Sequence, residues 1–355
     1  MPAIAFTNFD NYLNSVLDAY VKENPLGQTI TDKPLLAGLK PKMKPFVGGA
    51  DYVSGAVRGR FLSDYSGFGQ WYSHLDTVSY QHPDDILRWK YAWREAHLGA
   101  DFDFTEFKQR GVSIDMNGGA NMRGGSREVQ IVKDWAKSEI KDNFGESQSR
   151  FMNDSLWGDG SVSAKSIIGI TGILDDNPTA GSIGSISRAT NSWWRHRTLV
   201  GANKIAADRT TQKACNKLKA EVRQLRKYGG RPDLILAGSA ALEAIEAEVA
   251  EKVQINQDQF VVSNGKTAVG SPDLVLRGVG PMIYDPWLDD HGRADRIYIL
   301  DSNHVQLRPM EGEDMKVQKP ERPYDQYVIL KAVTWTGVLC FDQLNCHGVY
   351  QIAMP

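Results

Sequence analysis

Gly265-Lys266-Thr267 is the closest this chain comes to a phosphate-binding loop. The full motif, G-x-x-x-x-G-K-[ST], needs glycine at position 260, where Phe260 stands. It also needs a following helix whose N-terminus holds the phosphate, and Ala268-Val269-Gly270-Ser271-Pro272 starts a helix poorly. A hairpin turn is the favoured reading. Asp289-Asp290-His291 offers carboxylates and an imidazole, which are suitable metal donors. Adjacent residues rarely converge on one ion, and no second His or Glu lies nearby at helical or strand spacing, so a solvated loop is expected. Asp175-Asp176-Asn177 begins like a calcium loop but lacks the glutamate at its twelfth position. The seven histidines are scattered, with no H-E-x-x-H helix and no G-x-S-x-G elbow. Cys346-His347 joins a thiol to an imidazole, but neighbours in a strand point to opposite faces. Cys340 and Cys346 are therefore expected to be packing residues. No catalytic, metal-ligating or cofactor-binding residue is assigned, and no cofactor is expected.

Charge and composition narrow the classes further. Lys plus Arg is 41 and Asp plus Glu 43, a net charge of −2 over 355 residues. Such a balance is no signal for a protein that coats nucleic acid with a basic surface. Lys217, Lys219, Arg223, Arg226, Lys227 and Arg231 do form a basic helix face and exit, as water-exposed helices often do. The hydrophobic fraction of 41% suffices for a sizeable core. No run of about 18 apolar residues could cross a membrane, and the N-terminus has no signal-peptide pattern. The 3 cysteines, without a Cys-x-x-Cys pair, fit reduced thiols better than a disulfide framework. The aromatic residues are unevenly placed. Of 34 in all (9 Trp, 13 Tyr and 12 Phe), 13 fall in the 56 residues from Tyr52 to Phe107. The same segment carries Asp64, Asp76, Asp84, Asp85, Asp101, Asp103 and Glu106, which would oppose a phosphate backbone and argue against base stacking.

The elements that must position these residues follow from periodicity. Phe9, Leu13, Val16, Leu17 and Tyr20 mark one face of a short helix. An arm over 24–49 carries four prolines and is predicted to be mostly extended over other structure. Residues 52–58 and 71–75 suit strands flanking the turn at Ser66-Gly67-Phe68-Gly69, while 86–98 fits strand or helix. The spacing predicts a long helix from Ser126 to about Asp159, with Gly145 as a candidate bend. Further helices are predicted over 203–228 and 240–252, with a strand at 233–237 between them. Strands are then predicted at 259–262, 274–277, 296–300, 305–308, 327–336 and 338–341. A two-stranded ribbon is marginal alone, and aromatics burying about 150–250 Å² each need a partner surface. That surface is either a neighbouring copy or the chain's own helical core, and physics leaves both open.

A series of short segments, in order across nearly the whole chain, resembles the tailed-bacteriophage major capsid proteins of the HK-ninety-seven-like fold. Asn24-Pro25-Leu26 through Leu35-Leu36-Ala37-Gly38-Leu39-Lys40 resembles that family's N-terminal arm. Gly48-Gly49-Ala50-Asp51-Tyr52-Val53, Phe68-Gly69-Gln70-Trp71-Tyr72-Ser73 and Leu75-Asp76-Thr77-Val78 resemble its extended loop. Trp157-Gly158-Asp159-Gly160 and Ile168-Gly169-Ile170-Thr171-Gly172-Ile173 follow its spine helix. Gly184-Ser185-Ile186-Ser187-Arg188-Ala189-Thr190-Asn191 with Trp193-Trp194-Arg195 is the most specific signature. Ile297-Tyr298-Ile299-Leu300-Asp301, Val305-Gln306-Leu307-Arg308 and Ile329-Leu330-Lys331-Ala332 resemble its closing strands. The glycine-rich stretch from Gly118 to Gly125 departs from the pattern, as does the missing basic pair before Gly348.

The resemblance implies an α+β fold with five segments. These are an N-terminal arm (1–49), an extended β-hairpin loop (50–111), a peripheral domain with the spine helix (112–165), an axial domain (166–296) and peripheral return strands (297–355). Tyr52, Phe61, Tyr65, Phe68, Trp71, Tyr72, Trp89 and Trp93 would lie at subunit interfaces. Gly169, Gly172, Arg188, Trp193, Trp194 and Arg195 would be structural motif residues. The implied function is a shell subunit, not an enzyme, forming hexamers and pentamers that close an icosahedral head around double-stranded DNA. Implied partners are a portal protein, a separate scaffolding protein because no long charged N-terminal extension precedes the arm, and a decoration protein, with no membrane. The implied location is the virion capsid, after assembly in the host bacterial cytoplasm. The alternatives are a metal- or nucleotide-dependent hydrolase using Asp289, Asp290, His291 or Lys266, and a nucleic-acid-coating protein.

Overall fold

The computed structural model describes residues 4–5, 32–47, 56–62, 70–78, 80, 86–103, 105, 109, 114–115, 145–208, 213–250, 275–276, 279–318, 325–326 and 328–353. In chain order the first elements are β1 (Ile4–Ala5), α1 (Pro34–Leu39), β2 (Ala56–Leu62), β3 (Ile86–Ala92), β4 (Arg94–Asp103), β5 (Ile114–Asp115) and α2 (Gly145–Trp157). The middle holds α3 (Ile170–Ile173), β6 (Ser182–Ile183), β7 (Ile186–Ser187), β8 (Arg197–Leu199), β9 (Ile205–Ala206), α4 (Lys213–Lys227), β10 (Leu234–Ala237) and α5 (Ser239–Ala250). The last are β11 (Val275–Leu276), β12 (Gly280–Tyr284), α6 (Pro286–Asp290), β13 (Arg296–Leu300), β14 (Val305–Pro309), β15 (Lys316–Val317), β16 (Val328–Phe341) and β17 (Gly348–Ala353). The mixed helix and sheet content agrees with the α+β expectation.

A seven-stranded mixed sheet runs in the order β11-β12-β10-β13-β17-β8, with β9 also pairing β17. Its central strands read as unbroken apolar runs because both faces are covered. Alternate side chains divide between two cores. Ile297 and Ile299 join Leu218, Val222, Leu225 and Ile245 from α4 and α5 on one face. Tyr298 and Leu300 join Leu156, Trp157 and Ile170 on the other. The sheet draws strands from both sides of residue 296, so 297–300 and 348–353 share it with 197–284.

A second sheet has the order β14-β16-β15, and β4 also pairs β16. The β4–β16 ladder is antiparallel from Val328 opposite Asp103 to Gly337 opposite Arg94. The sequence suggests a break at Gly337, but β16 continues through it. A Cβ there would lie 2.5 Å from Trp335 Cζ2, so the glycine gives the indole room without ending the strand.

Several boundaries differ from expectation for identifiable reasons. The arm contains α1, since Pro34 at the helix start has the φ a first turn requires and Leu35 and Leu39 are buried. Only beyond Met43 is it extended, where Lys44 N donates to Leu307 O (3.1 Å) and Phe46 N to Pro309 O (3.0 Å) along β14. The undecided stretch 86–98 is strand, split into β3 and β4. α4 is described from Lys213 and does not reach back to 203, because Ile205–Ala206 pairs with Ile352–Ala353 as β9. The buried carboxylate of Glu248, on α5, accepts from the backbone N–H of Asp208 (2.6 Å), Ala214 (3.0 Å) and Cys215 (3.1 Å) and so ties the first described turn of α4 to α5. Of the long helix only α2 is described; residues 126–144, the helix at 9–20 and the strand at 259–262 lie outside the described residues.

Candidate assembly interface

The aromatic segment divides into a base and a tip. At the base, β2 and β3 pair antiparallel from Ala56 opposite Ala92 to Leu62 opposite Ile86. Val57, Trp89 and Tyr91 are buried in the chain's own core. Lys90 N donates to Gly184 O (2.9 Å), and the Tyr91 hydroxyl donates to Phe341 O (3.1 Å). Gly184 has φ 58°, and a Cβ there would lie 3.1 Å from the Tyr91 ring, so a side chain in the β6–β7 turn would be strained and would crowd the hairpin. Trp93 packs partly buried against the same core. Trp89 therefore roots the loop within this chain, with Trp93 partly buried beside it.

The tip is different. Residues 71–75 are not a strand; Asp76 N donates to Ser73 O (2.9 Å) and Ser73 N to Asp76 Oδ2 (2.8 Å), closing a turn. Trp71 is fully exposed, Tyr72 is 69%, Leu75 84% and Tyr80 96% exposed. Exposed apolar side chains this dense make the tip a candidate interaction surface. Phe61 is opposite Leu87 in the hairpin register. Tyr52, Tyr65 and Phe68 lie outside the described residues. A groove of about 410 Å³ opens elsewhere on the chain, lined by Ala96 of β4, Phe151 of α2, Val162, Ile167 and Trp335. Val162 is almost fully exposed beside it, and Phe151 is 42% exposed.

Residues 183–196 form a hub behind the loop base. Arg188 is buried and grips Asp175 with both guanidinium nitrogens, at 2.7 and 2.8 Å. Arg195 donates to Arg188 O (2.6 Å) and Ala189 O (2.8 Å). The buried Trp194 donates to Ile183 O at 3.0 Å, and Trp193 packs edge-on against it. His196 Nε2 lies 2.7 Å from Asp175 O, and burial lowers its pKa to about 4. Asp176 pairs with Arg296 of β13, whose guanidinium holds its carboxyl below the usual range. The 175–177 carboxylates are thus ion-pair partners of arginines. Gly169 and Gly172 sit where Cβ atoms would lie 2.4 Å from Leu156 O and 2.6 Å from Asp159 O. Sequence reading could not find the Asp175–Arg188 and Asp176–Arg296 pairs, because no periodicity relates their positions.

The residues of the hydrolase alternative are structurally engaged. Asp289 and Asp290 lie in α6 and His291 just beyond it, not in a solvated loop, because Pro286 and the Asp285 cap start a helix there. Asp289 accepts from Ser239 N (2.9 Å) and the Tyr284 hydroxyl (2.8 Å). The His291 ring stacks on Trp287, centroids 3.9 Å apart, and Trp287 stacks on Trp157 at 5.2 Å. Buried Asp285 accepts from Trp157 Nε1 and Trp287 N, both at 3.0 Å, and burial raises its pKa. Lys266 lies outside the described residues. Cys346 and His347, expected to diverge as strand neighbours, converge to 3.4 Å (Sγ to Nε2), because they occupy the turn before β17. Burial raises the thiol pKa and lowers that of His347 to about 3, which disfavours a reactive ion pair. Cys340 and Cys346 are both buried, as packing residues should be. Among the described residues no helix is long and apolar enough to cross a membrane.

No protein-family model matches the chain, and no curated protein does. Solved structures do. The cyanophage A-1(L) capsid asymmetric unit aligns with 93% of this chain and 95% of its own, at TM-score 0.63 and 14% identity. The chain has the fold of a tailed-phage capsid protein. The capsid of Myoviridae phage XM1 aligns over 93% of this chain and 95% of its own, at TM-score 0.51 and 10% identity. The mature capsid of bacteriophage PhiM1 aligns over 93% and 90%, at TM-score 0.53 and 9% identity. At such identities the capsid fold persists through its pattern of buried and exposed positions, since hydrophobic residues of suitable size can replace one another.

Proposed function

We propose that this protein is the structural subunit of a bacteriophage icosahedral head. Copies assemble into hexamers and pentamers, and the shell encloses double-stranded DNA in the virion after assembly in the host cytoplasm. The observation that carries the reading is the alignment of 93% of the chain with a cyanophage capsid subunit at TM-score 0.63. Two features of the surface support it. The loop tip exposes Trp71, Tyr72, Leu75 and Tyr80 together, and the groove beside Phe151 and Trp335 is a concave apolar face on the same chain.

In this reading the loop tip of each copy buries its aromatics on a neighbour. Three aromatics remove about 450–750 Å², short of the ~800 Å² per partner typical of a stable interface. One loop contact is therefore weak, and the shell gains stability by repeating it around rings together with the arm contacts. The five-segment division belongs to this proposal, with 297–300 and 348–353 completing the axial sheet. A portal, a separate scaffolding protein and a decoration protein complete the expected set of partners. Asp289 and His291 have positioning roles around Trp287, and the subunit is not an enzyme.

Negative-stain microscopy with sedimentation velocity of the purified chain tests the function. Capsomers or closed shells are expected. A strictly monomeric protein at every concentration and salt would sink the proposal.

A further inference from the structure

After β13 the chain crosses from the seven-stranded sheet to the sheet of β14, β15 and β16 and returns at β17, and these two crossings touch. The Asp301–His304 turn takes it from β13 in the seven-stranded sheet to β14 in the other, and the Asp342–His347 turn brings it back from β16 to β17. His304 N donates to Asp301 O (3.0 Å) and Asp342 N to His304 O (3.3 Å), so the turns lie against each other. At this seam one side-chain donor atom each from Asp301, His304 and Cys346 lie within 4.8 Å of one another.

We propose that Asp301, His304 and Cys346 bind one divalent cation of the zinc type, which staples the two crossings together. Thiolate, imidazole and carboxylate are a zinc-like donor set. Tetrahedral zinc, with bonds of about 2.0–2.3 Å, wants its donor atoms roughly 3.3–3.7 Å apart, so the widest pair closes by no more than about 1.5 Å. Each donor is already oriented by a neighbour. Asp342 Oδ1 lies 2.9 Å from His304 Nδ1, which leaves Nε2 directed at the cluster, 4.0 Å from Asp301 Oδ2. The Asp301 carboxylate is held by Arg231 N (2.6 Å), Asn303 N (3.0 Å) and Asn303 Nδ2 (3.0 Å). His347 Nε2 lies 3.4 Å from Cys346 Sγ, while its Nδ1 accepts from Asp301 N at 3.2 Å. The hydrogen on Nε2 therefore points at the sulfur.

Charge favours the same occupant. Asp301 is buried, and among the described residues its ion-pair partner is His304, at 4.0 Å. A dication balances this carboxylate and the thiolate formed when Cys346 releases its proton to solvent. The His304 side chain is 29% exposed, which gives an entry path and leaves a fourth position for water. The inference concerns the stability of the fold and does not depend on the shell reading.

The test uses the purified full chain, stripped with a chelator and loaded with Zn²⁺ or, as a spectroscopic stand-in, Co²⁺. One metal per chain is expected after gel filtration, with a thiolate-to-cobalt charge-transfer band. Cys346→Ser should abolish the band, and His304→Gln should weaken binding more than tenfold. Asp342→Asn should weaken it about 10–100-fold without changing stoichiometry. Cys215→Ser should leave the band intact. Zn²⁺ should raise the unfolding temperature of the parent but not of the Cys346 or His304 variants. Should Cys346→Ser fail to fold, His304→Gln carries the test. Failure to retain metal, a cobalt spectrum without a thiolate band, or parent-like binding by a folded Cys346 or His304 variant would overturn the site.

Discussion

Gly169 and His196 show how single residues hold this chain in shape. A Cβ at Gly169 would lie 2.4 Å from Leu156 O and 2.5 Å from Gly158 O, both backbone atoms that a rotamer change cannot move. Gly169→Ala should therefore destabilise the fold by about 1–3 kcal/mol, read as a lower denaturant midpoint at unchanged slope. His196 has a pKa near 4 in the fold against 6.5 in the unfolded chain. Between those values the unfolded chain binds a proton that the folded one excludes. Stability is full above about pH 6.5 and falls by about 3 kcal/mol as the pH drops to about 4. His196→Gln should flatten that part of the stability-against-pH curve. An unchanged slope would show that other groups dominate the acid response.

At the scale of elements, the loop has a rooted base and an exposed tip, to which the proposal gives the docking role. The β2–β3 base buries Trp89 and Tyr91 in the chain's own core, while the tip leaves its aromatics in water. Trp71→Ala combined with Tyr72→Ala should leave the unfolding free energy within about 0.5 kcal/mol, since exposed side chains contribute little to folding. The same pair should reduce shell or capsomer formation at least tenfold by sedimentation. Shells at parental yield would refute the docking role of the tip. Removing the whole stretch from Tyr52 to Phe107 would be a poor test, because β4 within it forms the ladder with β16. A shorter excision between Leu62 and Ile86 spares both hairpin strands.

For the whole molecule, a net charge of −2 means that many copies can pack with little mutual repulsion. Docking through apolar side chains adds little salt dependence. Assembly should therefore change by less than about threefold between roughly 0.05 and 0.5 M NaCl, where the Debye length shortens several-fold. A steep loss of particles with salt would point to charged contacts as the dominant glue.

Much of this architecture was legible in the sequence because it follows from local periodicity. Leu218, Val222 and Leu225 announced α4, the apolar runs announced β10 and β13, and the ordered motifs pointed to the capsid fold. Three features were not legible, for a common reason. The anchoring of the first described turn of α4 depends on Glu248, 34 residues beyond Ala214. The roles of Asp175 and Arg188 depend on their meeting across a turn. The convergence of Asp301, His304 and Cys346 depends on two crossings between sheets. Clustered aromatics showed that residues 52–107 need a partner surface, but not which ones. Tertiary packing decided that Trp89 and Tyr91 turn inward while Trp71 and Tyr72 stay in water. Sequence alone determined which side chains must leave water, since that is a property of the side chain. Which surface receives them is set by contacts between residues far apart in the chain, and only the fold specifies those.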